Sequence, residues 1–95
     1  MEDPQHVSRD RVVEVIKDLM LNDIVHIDML SKRLEKVPEE RESMRRRIRY
    51  SEEVVFTLMK VAEELGVYED VNKKIKIPRH LKRDYFGEDH PNVQG

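Results

Sequence analysis

Four arginines, Arg45, Arg46, Arg47 and Arg49, stand directly before an apolar run in "SMRRRIRYSEEVVFTLMK". A guanidinium is planar, permanently charged and able to donate two parallel hydrogen bonds. It therefore suits a phosphate or a guanine edge better than an ammonium does. At helical spacing Arg45, Arg46 and Arg49 share one face, with Met44 and Ile48 turned away from it, and the segment reads as a contact for a polyanion. The competing reading is a solvated face closed by ion pairs, Glu42 with Arg45 and Arg46, and Arg49 with Glu53. Such pairs contribute ~0.2–0.5 kcal/mol each and need no ligand.

The charge pattern points the same way. The chain has 95 residues, 18 Lys/Arg and 20 Asp/Glu. The sign changes along it: residues 43–62 hold five basic and two acidic side chains, residues 63–71 four acids and no base. A second basic block, "KKIKIPRHLKR", occupies residues 73–83. Segregation of this kind marks a polyanion footprint better than the overall pI does. For Lys73, Lys74 and Lys76 the alternative is protection of an exposed strand edge. For Arg79, Lys82 and Arg83 it is a charged tail.

Little else in the chain could do chemistry. There is no Cys, which excludes disulfides, thiolate metal sites and a Cys nucleophile. His6, His26, His80 and His90 have no metal-ligand spacing. Ser8, Ser31, Ser43 and Ser51 lack a base and an orienting group, and with three glycines no loop could cradle a nucleotide. No catalytic residue, metal, cofactor or small-molecule substrate is expected, and the protein is not read as an enzyme. No apolar run nears the ~20 residues of a membrane span, and the start "MEDPQHVSRD" lacks a secretory pattern. A soluble cytoplasmic protein is expected. Abundant Lys, Arg and Glu with few amides suit a heat-adapted source.

Positioning these groups falls to a small set of elements. Ser8 is a candidate N-cap for a first helix over 9–21, in which Val12, Val13, Ile16, Leu19 and Met20 recur at helical spacing. Asn22 and Asp23 end it. Ile24 to Ile27 are β-prone and predict a brief strand, and Asp28 caps a second helix carrying Leu30 and Leu34. From Pro38 to Leu65 the pattern is helical. Met44, Ile48, Ser51, Val55, Leu58, Ala62 and Leu65 keep 4-3 spacing, as one long helix would. Ser51 with Glu52 and Glu53 equally makes a new helix start, and a break near Tyr50–Ser51 is the expectation. Gly66 ends the helix. "VYEDVNKKIKIP" then alternates as a hairpin, with Ile75 and Ile77 inward.

Helix, short strand, helix, helix and hairpin is an order that resembles the winged helix-turn-helix domain of transcription regulators. "DIVHIDMLSKRL" is similar to its first strand feeding a capped second helix, and "SEEVVFTLMKVAEELGVYED" to its third helix and wing strand. The resemblance implies a mainly α fold with a small β-hairpin, three helices plus a wing, over residues 8–78, followed by a basic then polar tail over 79–95. It also implies binding of double-stranded DNA, with Asn72, Lys73, Lys74 and Lys76 on the wing. "VPEERESMRRRIRY" extends the family's short turn between helices 2 and 3 into a basic segment. The helix after Ser51 is apolar nearly all round and its charges are mostly acidic, so the arginines of that extension are expected to carry the DNA contact.

That apolar helix needs cover on more than one side. A homodimer is expected, with Val54, Phe56, Val61, Tyr85 and Phe86 at the interface. The alternative function is a helical interaction or assembly module that docks a partner through residues 51–65.

Overall fold

Ser8 opens the first helix. In the computed structural model, which describes residues 7–94, its Oγ accepts a hydrogen bond from the Arg11 N–H at 3.2 Å. The helix, α1, is Arg9–Lys36 and runs 28 residues, about 42 Å at 1.5 Å per residue. It passes straight through Asn22, Asp23 and the β-prone residues 24–27. The strand expected there, and the separate helix capped by Asp28, are corrected: both segments lie inside α1. Ile27 and Leu30 are buried, Ile24 partly so, and they continue the spacing of Val13, Ile16 and Met20. Burying an Ile side chain is worth roughly 1.5–3 kcal/mol. The helix penalties of Asn, Asp and β-branched residues are only a few tenths each, up to about 0.7 kcal/mol.

A 3-10 turn, Pro38–Glu40, reverses the chain into α2, Arg41–Glu64. The expected break at Tyr50–Ser51 is absent. Ser51 is 2% exposed within the helix, and its Oγ lies 3.5 Å from His26 Nδ1 instead of capping a new start. The single long helix of the 4-3 reading is what forms, with Met44, Ser51, Val55 and Ala62 in one buried stripe; Met59 takes the place expected of Leu58, and Leu65 is exposed. The two helices are antiparallel. Arg9 Nη2 donates to the Gly66 carbonyl at 2.7 Å at the base of the hairpin, while Arg33 pairs with Glu40 at 3.3 Å at its tip.

Gly66 ends α2 with φ +69°, as the sequence required. The Gly66 N–H donates to the Glu63 carbonyl at 3.0 Å and the Val67 N–H to that of Ala62 at 2.8 Å, which is a Schellman motif. Next comes helix α3, Tyr68–Lys74, where a wing was expected. Tyr68 and Val71 are buried one turn apart. Glu69 and Asp70 sit at the positive end of the helix and Lys73 and Lys74 at the negative end. There is no strand among the described residues. The fold is mainly α, and the β-hairpin and the winged helix-turn-helix arrangement are corrected.

Pro78 precedes α4, Arg79–Phe86, and α5 comes after it at Pro91–Gln94. Leu81 is fully buried in the cluster that holds Val13, Ile16, Met20, Met59, Val71 and Ile77. Aromatic edges close this core: Tyr68 meets Phe86 at 5.3 Å and Phe86 meets Tyr85 at 4.8 Å between ring centroids. All of this lies at the base of the hairpin. Beyond it, Leu30 of α1 and Met44 of α2 are buried outside that cluster. The molecule measures 57 × 33 × 17 Å.

Candidate nucleic-acid interface

The arginine block occupies the second and third turns of α2, in the half nearest the tip. Arg45, Arg46, Arg47 and Arg49 are all exposed. Successive side chains turn by about 100°. Arg45, Arg49 and Arg46 therefore span one arc on the side away from α1, as their spacing suggested. Arg47 projects from the opposite shoulder, and with Arg46, Tyr50, Ser51, Asp23 and His26 it lines a recess of about 300 Å³.

None of the four arginines takes part in an ion pair among the described residues. The partners offered by sequence, Glu42 and Glu53, are not engaged by them. Elsewhere the same helical spacing does pair, Lys32 with Asp28 and Lys60 with Glu64, both at 2.9 Å. Arg33, Lys36 and Arg41 add to the positive charge near the tip. Across residues 28–50 there are eight Lys/Arg and five Asp/Glu.

The lysines assigned to a wing lie elsewhere. Asn72, Lys73 and Lys74 belong to α3 and Lys76 lies just beyond it. Glu14, which meets Lys74, belongs to the base, so Asn72, Lys73 and Lys74 do not share a footprint with the arginines; past Lys76 the chain comes back along the hairpin, where His80 lies 3.7 Å from Glu52, one turn beyond Arg49. Lys74 is already held by Glu14. Hydrogen bonds from Lys17 and then Lys74 hold the Glu14 carboxyl down at about 2. Lys76 instead joins Arg79 and Lys82 around a shallow recess of about 150 Å³ beside Asn92, a second and smaller basic patch.

The residues expected at a dimer interface separate into two groups. Phe56, Tyr85 and Phe86 pack within the chain, with Phe56 and Tyr85 at 6.2 Å. Tyr85 Oη donates to Glu63 Oε1 at 2.6 Å; burial, then this bond, pushes its pKa up to about 12. Val54 and Val61 lie on the other flank of α2, where Val61 is exposed. Beside them lie Leu58 and Leu65, within the stretch 51–65 offered as a docking helix but also read as inward, Leu19, read as inward and 50% exposed, and Val15, which sequence reasoning missed. The signal for the flank of α2 was present in the 4-3 spacing of Val54, Leu58, Val61 and Leu65, one residue out of step with the buried stripe. Sequence reasoning also missed the contact of His26 with Ser51, since no local pattern links positions 25 residues apart.

Chemically, the arginine turns can bind anions and do little else. Among the described residues no cluster could hold a metal ion, and no helix is long and apolar enough to cross a membrane. Compared with protein families, curated proteins and solved structures, the chain matches none.

Proposed function

We propose that this protein binds double-stranded DNA through the arginine-bearing turns of α2, near the tip of a helical hairpin. The observation that carries the reading is the set of four exposed guanidiniums with no carboxylate partner among the described residues. A solvated face would be expected to use Glu42 and Glu53, which are at hand. Arg45, Arg46 and Arg49 track the phosphate backbone along one arc, and Arg47 reaches from the other shoulder. The lysines of α3, held at the base of the hairpin, lie outside this contact.

Phosphate attraction supplies the affinity, so binding weakens steeply with salt. Fluorescence anisotropy with mixed-sequence duplex across a salt series tests this. Four phosphate contacts predict a log–log slope of about −3.6, near −0.9 per contact. Replacing all four arginines with glutamine flattens the slope while the helical circular dichroism is kept. No binding at low salt, or a slope unchanged by the replacement, removes the reading.

A second reading, an assembly module, is favoured by one specific feature. The flank of the hairpin opposite α3 to α5 exposes Leu19 and Leu65 at 50% and 56%.

A further inference from the structure

The hairpin is covered on one face only. Phe56, Glu52 and Glu63 of α2 meet α4, and Val13, Ile24 and Lys17 of α1 look the same way. A half-turn round each helix lies a bare face. On α1 it carries Val15, Leu19, Asn22 and His26, and on α2 Val54, Leu58, Val61 and Leu65. The contacts Arg9 to Gly66 and His26 to Ser51 fix the register. Leu19 therefore stands level with Leu58, and Val15 with Val61. Two apolar stripes at 4-3 spacing, side by side, form a seam that other helices fit at a shallow crossing angle.

Charge says what covers it. In the base half, residues 9–27 and 51–66, there are four Lys/Arg and eight Asp/Glu. In the tip half, residues 28–50, there are eight Lys/Arg and five Asp/Glu. A second copy laid end for end sets each acidic half on a basic half. Laid in parallel, it would stack arginines on arginines and acids on acids, and like charges facing one another cost several kcal/mol.

We propose that a second copy of this chain docks antiparallel on this face, giving a four-helix layer of two hairpins related by a two-fold axis. That axis crosses α1 between Leu19 and Asn22 and α2 between Val54 and Leu58. Glu64 of one copy then lies level with Arg47 of the other, and Glu53 with Lys60. Arg45 and Arg49 stay outside the contact, while Arg47 and the recess it lines with Arg46 fall within it. The dimer rests on the apolar seam and the opposed charges of its halves, and the proposal does not depend on DNA binding.

The chain has no Cys, so a single introduced thiol labels one place. Analytical ultracentrifugation of the full chain at micromolar concentration is expected to give twice 11.4 kDa. Spin labels on Ser43→Cys, near the tip, are expected beyond about 35 Å apart in the dimer, and labels on Thr57→Cys, near the axis, within about 25 Å. Leu19→Lys with Leu65→Lys, both at exposed positions, the second set against Arg47 of the other copy, weakens the dimer at least about 30-fold with circular dichroism unchanged. A monomer at every concentration overturns the proposal. So does a Ser43 distance within about 20 Å, the parallel result, or a dimer indifferent to the double substitution.

Discussion

Met59 and Met44 are the same residue type on the same helix, both buried, and they keep different company. Met59 lies at the base, where α1 and α2 share a core with α3 and α4. Met44 lies near the tip, buried outside that cluster, where α1 and α2 meet the short 3-10 turn that joins them. One end of the hairpin is a folded body and the other a two-helix arm that carries the arginines. A chain of this size thus divides its work between its two ends. The base supplies stability, and the arm needs only enough packing to hold its guanidiniums in place.

The largest expected effect tests that division directly. Met59→Ala leaves a cavity walled by several elements that cannot all close in. It should cost about 3–5 kcal/mol, in the upper part of the usual range for such truncations. Met44→Ala should cost nearer ~2 kcal/mol, because two helices and the short turn between them can settle together over the gap. Denaturant unfolding of both variants gives the numbers, and equal losses would erase the distinction. Amide exchange sharpens it. Residues 28–36 and 41–50 should exchange faster than residues 13–27 and 51–62, through openings that leave the base folded.

The base was partly legible in the sequence. Ser8, Gly66 and the spacing of Val13, Ile16 and Met20 each carry their own local signal, and each does in the fold what that signal says. The errors came where two local signals conflict and distant packing decides. Residues 24–27 satisfy both a short strand and the next turn of a helix, and only the partner stripe on α2 chooses between them. Ile75 and Ile77 alternate with lysines as a strand would, yet the described residues hold no second strand to pair with. The arginines announced their chemistry by type. Their unpaired state depended on rotamers and on α2 staying whole through Ser51, which the residues alone left open.

A smaller effect falls at the edge of the base. Tyr85 joins α4 to α2 through Glu63 at 2.6 Å. Tyr85→Phe keeps the ring packing and removes that bond, and should cost about 0.5–1.5 kcal/mol. The tip half should be unaffected, which exchange at residues 28–50 would confirm. The bond also has a pH signature. The phenol is held protonated to about 12, above its ordinary value of 10. Its contribution is therefore complete below pH 10 and lost as the pH rises through 12. Absorbance of tyrosinate during a base titration should show two late ionisations in the native protein, Tyr85 and the buried Tyr68, which burial also pushes up to about 12, and only that of Tyr68 in the variant.

The smallest effect sits where α3 is tied to α1. Glu14 is ordinarily protonated near 4.5 but is held down at about 2, first by Lys17 and then by Lys74. A depressed carboxylate stabilises the fold above its unfolded value, and that share is lost as the pH falls from 4.5 towards 2. The group is exposed, so the loss is modest and screened by salt. Carboxyl NMR of Glu14 should give a midpoint near 2 in low salt. Lys74→Met should raise that midpoint, and Lys17→Met should raise it more. If Lys74→Met leaves it unmoved, α3 is not held to α1 by charge, and the body at the base rests on its apolar core alone.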